Sequence, residues 1–249
     1  MGPGLAGVPD TIEAIPMSET RIVLAIFEFV VLVFSLSIHE AAHGWMANRL
    51  GDPTAKMLGR VTLNPIRHID PIGTVAIPLV MLLWPGGGQF LIGWAKPTPV
   101  TPRNFRNVTR DDILTTIAGP VSNVLAAVGA TVLLLILSKT SLTGATIVHQ
   151  IAATGEVDPS LMGSMMFPLA LILYMGVTLN LILAVFNLLP LPPLDGSHVF
   201  RHMLPYKALR IYDSMGLFGL VLFLFWGFPI IEHLVDPAIR VMNGVLLRF

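Results

Sequence analysis

From Ile22 to Ile38 the chain carries an almost unbroken apolar run, and the run closes on His39-Glu40-Ala41-Ala42-His43. A segment like this, set in lipid, must satisfy every backbone polar group internally, which leaves the helix as its natural form. About 20 mostly apolar residues suffice to cross a hydrocarbon core of about 30 Å. The residues that end the run are ionisable, and ionisable groups at membrane depth are costly enough to mark a functional site. Residues four apart on a helix share a face, so His39 and His43 can approach one metal ion.

Composition agrees with a membrane class. The chain is 54% hydrophobic and 12% charged, whereas soluble domains are about a quarter charged. Its formal net charge is zero, which gives no electrostatic basis for a nucleic-acid partner. It has no cysteine, so disulfides, thiolate catalysis and Cys-based zinc sites are excluded. Residues 1–20 hold Asp10, Glu13 and Glu19 and lack the pattern of a cleavable signal, so the first apolar segment is expected to persist in the mature protein.

Four segments are long enough to span: about 21–47, 111–138, 165–189 and 214–234. A fifth apolar stretch, 72–84, is short, contains Pro78 and stops at Pro85-Gly86-Gly87-Gly88, as a re-entrant segment would. Charge supports this reading. Arg49, Lys56, Arg60, Arg67, Lys96, Arg103, Arg106 and Arg110 lie between the first two spans, and Arg201, Lys207 and Arg210 follow the third. Only Arg21, Lys139, Arg240 and Arg248 remain for the other side. The positive-inside rule then places both basic loops in the cytoplasm, and a full crossing by 72–84 would split the first of them. Within that loop, 56–63 and 90–100 read as short strands between Gly and Pro residues, expected at the membrane boundary because bare strand edges are not tolerated in lipid. The fold expected is a single all-α polytopic membrane domain over 1–249, with about four transmembrane helices, a re-entrant segment and short membrane-associated β-strands.

Two histidines leave a zinc site incomplete, since catalytic zinc takes three protein ligands and keeps one position open. Asp195 is the best third ligand. It follows the 165–189 span, and its end of that span lies on the same side of the membrane as His39 and His43. Glu40 is then the base, because zinc lowers the pKa of a bound water towards ~7 and a nearby carboxylate can take the proton. Taken alone, HExxH could also be a polar helix end facing water. Asn123 and Asn187 sit on two further spans, where each could donate to a developing oxyanion or simply bridge helices. His198 and His202 are also four apart, but they read as polar tips of an interfacial helix.

HEAAH at 39–43 and NLLPLPPLDG at 187–196 together resemble the two signatures of the site-2 protease family of intramembrane zinc metalloproteases. LGRVTLNPIRHIDPIGT (58–74), GWAKPTPVTPRNFRN (93–107) and AGPVSN (118–123) are similar to the stretches that join those signatures in compact prokaryotic members. The resemblance runs from about residue 20 to 205. It implies His39, His43 and Asp195 as ligands of one Zn²⁺ per chain, Glu40 as catalytic acid/base, and a three-helix catalytic core. No stretch fits the PDZ or CBS domains that some members carry.

The function expected is an intramembrane zinc endopeptidase. It would cut single-span membrane proteins near the cytoplasmic face of the cell membrane, with the lipid bilayer as its other partner. The alternative is a membrane metal-binding or transport protein that uses the His/Asp cluster without hydrolysis. A transporter has no need of Glu40 beside the histidine pair.

Overall fold

A computed structural model describes residues 19–83 and 93–248, and all regular structure among them is helical. Helix α1 (Glu19–Leu50) contains the HEAAH turn. At 32 residues it is about 48 Å long, more than a bilayer core requires. After it come the short α2 (Thr54–Met57) and a continuous apolar segment made of a π turn, Pro71–Ala76, and α3 (Ile77–Leu83). Asp70 starts that segment by accepting from Ile72 N at 3.0 Å and Gly73 N at 2.7 Å.

Helix α4 (Val108–Thr140) is capped by Asn107, whose side chain accepts from Arg110 N, while Asp111 accepts in return from Asn107 N. This is a reciprocal arrangement close to a capping box. Helix α5 (Leu142–Thr154) ends at Gly155, which adopts φ 75°, the left-handed conformation glycine takes up without strain. Helix α6 (Met166–Leu188) stops because Leu189 precedes Pro190 and must leave the helical region; it sits at φ −63°, ψ 137°. The chain then turns into α7 (Asp195–Arg201), followed by α8 (Tyr206–Trp226) and α9 (Phe228–Arg248).

Helices α1, α4 and α6 are long and apolar enough to cross a membrane. Each packs against the other two, with α4 making the broadest contacts. Away from the HEAAH end, α4, α5, α6 and α9 share a core that includes Leu134, Ile147, Val177, Val235 and Leu246.

The expected strands are not there: the described residues contain none. Lys56 and Met57 belong to α2, and the chain from Leu58 turns through Gly59 at φ 66°. Residues 93–100 have no regular secondary structure and join no ladder, and 90–92 lie outside the described residues. The cause is local. Pro97 and Pro99 have no N–H to offer a neighbouring strand. What the segment does offer is taken singly: Trp94 N by Gly73 O, Lys96 N by His68 O, and the Lys96 and Pro97 carbonyls by the Arg60 guanidinium. The buried Arg60, which also donates to Arg67 O, does the work of a partner strand.

The 214–234 segment is not one continuous helix. Its backbone departs from helical geometry at Gly216 (φ 43°, ψ −141°) and breaks again between Trp226 and Phe228. The described residues of 72–84 form one short helical stretch, Pro71–Leu83, and Trp84 lies outside them.

Candidate metal centre

His39 and His43 project from one face of α1, both buried, with their Nε2 atoms 3.0 Å apart. Asp195, the first residue of α7, brings Oδ2 to 3.0 Å from His39 Nε2 and 3.3 Å from His43 Nε2. The cluster therefore joins residues from the first and last of the motifs. Three features place Asp195. Gly196 packs so closely on α6 that an added Cβ would lie 2.2 Å from Leu188 O. Tyr212 OH donates to Pro190 O at 2.9 Å, and His202 pairs with Asp112 of α4 at 2.8 Å.

The outer ring nitrogens decide what the inner ones can do. His43 Nδ1 lies 2.8 Å from the carbonyl of Thr115. A carbonyl only accepts, so Nδ1 carries the hydrogen, and in the neutral ring that binds a metal Nε2 is left with its lone pair. His39 Nδ1 lies 2.5 Å from Asn123 Oδ1, which has the same consequence. Asp195 Oδ2 is buried and has no hydrogen-bond donor. As a carboxylate it can only accept.

Three acceptor atoms thus converge with no hydrogen between them, an arrangement that suits a cation at their centre. Tetrahedral zinc with bonds of about 2.0–2.2 Å sets its ligand atoms roughly 3.3 Å apart, close to the separations here. Two imidazoles and one carboxylate are also a donor set that zinc accepts. Gly119 of α4 forms the floor: a Cβ there would lie 2.4 Å from His43 Nε2 and 2.7 Å from His39 Cε1.

Glu40 points to the other side of the pair. Its Oε2 accepts from Thr98 N at 2.7 Å, and its backbone carbonyl accepts from Thr98 Oγ1 at 3.0 Å. The 93–100 segment, expected as a strand, instead holds this carboxylate. Of the two asparagines, Asn123 is fully buried and both ends of its amide are engaged, so here it supports His39. Asn187 is half-buried on the last turn of α6, where Nδ2 donates to Leu183 O at 3.0 Å. His198 is exposed, and His68 is bonded to Thr62 O, apart from the cluster.

Sequence reasoning missed Thr98, Thr115 and Asn180. Asn180 carried a readable signal, since an amide in an apolar span needs a partner. The other two act through main-chain atoms, which residue type does not reveal.

The chain matches peptidase family M50 over residues 27–225. It is 33% identical over 220 residues to "Putative zinc metalloprotease YwhC" of Bacillus subtilis, covering 88% of each chain. It is 29% identical over 233 residues to "Putative zinc metalloprotease Rip2" of Mycobacterium tuberculosis, covering 86% of this chain and 77% of that one. No solved structure matches it. The match to the family spans both halves of the His39–His43–Asp195 cluster, and the chain belongs to peptidase family M50, the site-2 type zinc metalloproteases.

Proposed function

We propose that the protein is an intramembrane zinc endopeptidase in which His39, His43 and Asp195 hold one zinc ion and Glu40 is the general base. The observation that carries this reading is the convergence of three hydrogen-free acceptor atoms beside a carboxylate fixed from a different direction. When bound, zinc supplies Lewis acidity that makes a water reactive near neutral pH.

The chain's own residues supply the rest. Thr98 N–H occupies Oε2 of Glu40, leaving Oε1 to take a proton from the attacking water and return it to the leaving amine. The carbonyl of Thr115 and the amide of Asn123 keep the two imidazoles aimed at one point. An apolar cleft of about 540 Å³ runs beside the HEAAH turn, lined by Ile38, Ala41, Ala42, Trp45, Ala118 and Leu125. It offers an apolar peptide a place along α1 and α4, which supports single-span membrane proteins as substrates. The basic loops on both sides of the site support a cytoplasmic orientation.

The test is Glu40→Gln in the full-length chain, with bound zinc and cleavage of a single-span substrate measured on the same preparation. We expect about one zinc per chain to be retained and turnover to fall by a factor of about 10²–10⁴. Cleavage at the wild-type rate would refute the assignment. Zinc binding with no hydrolysis by the wild type would favour a metal-carrying protein.

A further inference from the structure

We propose that Asn180 is a positioning residue for the metal centre: with Gly176 O it fixes the orientation of Asn123 and, through it, the tautomer of His39. The proposal rests on the reading of His39 as a ligand. It extends that reading to Asn123 on α4, which bonds His39, and to Asn180 on α6, which reaches the cluster only through Asn123.

Each link follows from which atoms can donate. Gly176 O on α6 only accepts, and the Asn180 side-chain atom 2.8 Å from it must be the NH₂ group. The second hydrogen of that group goes to Ser35 Oγ on α1 at 2.9 Å. Asn180 therefore turns its Oδ1 towards α4, and Asn123 must meet it with its own NH₂, at 2.8 Å. The remaining Asn123 hydrogen points to Ser35 O at 3.4 Å. Asn123 Oδ1 is then the only end left for His39, 2.5 Å away. His39 Nδ1 must carry the hydrogen, and Nε2 faces Asp195 and His43 with a lone pair.

Reversing any link creates a clash of like groups. If Asn180 were flipped, its oxygen would face the Gly176 carbonyl. If Asn123 were flipped, its oxygen would face Asn180 Oδ1 and the Ser35 carbonyl, and its NH₂ would face the hydrogen on His39 Nδ1. Ser35, Asn123 and Asn180 are all nearly or fully buried, and water cannot relieve such a mismatch. An unpaired amide in apolar surroundings costs several kcal/mol, so the network has one stable direction. The bland reading is that these amides only hold three helices together. That role would not require a chain of hydrogen bonds with one sense that ends on a ligand.

The experiment measures zinc affinity by chelator competition, and the Co²⁺ ligand-field spectrum, on the full-length chain in detergent. Four forms are compared: wild type, Asn180→Ala, Asn123→Asp and the double variant. Asn180→Ala frees Asn123 to rotate, and zinc binding should weaken about 10–100-fold, the usual cost of losing an outer support. An aspartate at 123 has only acceptor oxygens and cannot present a donor to His39 whatever Asn180 does. In the Asn123→Asp background, Asn180→Ala should therefore change affinity by less than about threefold, and the cobalt spectrum should stay that of Asn123→Asp.

Unchanged affinity in Asn180→Ala overturns the proposal, as does an equal loss in both backgrounds, which is what a purely structural role predicts. If Asn180→Ala does not fold, Asn180→Ser replaces it; serine is too short to reach Asn123, and the same two outcomes decide. Failure of the protease reading looks different, because the wild type would then bind no zinc, or Glu40→Gln would cleave normally.

Discussion

Replacing Gly119 by alanine tests the packing of the centre with one methyl group. On a helix interior this change is normally favourable by about 1 kcal/mol. Here the new carbon would lie 2.4 Å from His43 Nε2, 2.5 Å from His43 Cε1 and 2.7 Å from His39 Cε1. Carbon contacts are comfortable at about 3.5–4.0 Å, so both rings must retreat by roughly 1 Å. Neither can do so freely, since His43 is held by Thr115 O at 2.8 Å and His39 by Asn123 Oδ1 at 2.5 Å. Moving a ring that far breaks a buried hydrogen bond, at about 1–3 kcal/mol each. The steric cost exceeds the helical gain, and it falls on the two imidazoles. We expect Gly119→Ala to weaken zinc binding by at least about 100-fold while the helices persist. Gly129→Ala on the same helix is the control, because a Cβ there meets nothing within 4 Å, and zinc binding should not change. Zinc affinity is read by chelator competition and the fold by thermal unfolding of metal-free protein. Wild-type affinity in Gly119→Ala would refute the packing argument.

Thr98→Pro removes the N–H that holds Glu40 in a segment that already contains Pro97 and Pro99, whereas Thr98→Ala keeps it. A hydrogen bond to a charged group is worth about 1.5–3 kcal/mol, so we expect the proline variant to lose about 10–100-fold in kcat with zinc retained. A kcat equal to that of the alanine variant would show that the N–H has no role. Asp52 is fully buried after α1 and accepts from Thr101 N, Thr54 N, Thr54 Oγ1 and Asn104 Nδ2. Burial pushes its carboxyl up, but these bonds more than compensate and hold it below the usual range. Its contribution to stability is thus complete above about pH 4 and lost as pH falls through the lower folded value. Asp52→Ala should cost about 2–4 kcal/mol at neutral pH and flatten the loss of stability below pH 4; an unchanged acid limb would count against it.

How much of this was legible in the sequence depends on what carried each feature. The helical class and the approach of His39 to His43 follow from apolar length and four-residue spacing, which are properties of side chains in order. Asp195 came from a motif and from topology, because nothing local ties it to residues so distant in sequence. The strands at 56–63 and 90–100 were misread because extended, alternating sequence does not say who supplies the partner. An arginine side chain and scattered main-chain groups supply it here, and two prolines discourage a ladder. Hydropathy likewise gave one segment at 214–234, since averaging over a window is blind to a backbone break at Gly216.

The support of the centre divides between the helix bundle and a loop. His39 and His43 are aimed by groups on α4 and α6, two helices that can cross the membrane: the Thr115 carbonyl, the Asn123–Asn180 amides and the bare Cα of Gly119. Glu40 is aimed by Thr98, from a loop that Arg60, His68 and Gly73 hold in place. The two histidines and the base are neighbours on one helix, yet they take their orientation from parts of the chain that share no residue. A helical turn by itself would let the three side chains choose among rotamers. Fixing two from within the bundle and the third from the loop removes that choice, and it allows metal affinity and turnover to be perturbed separately.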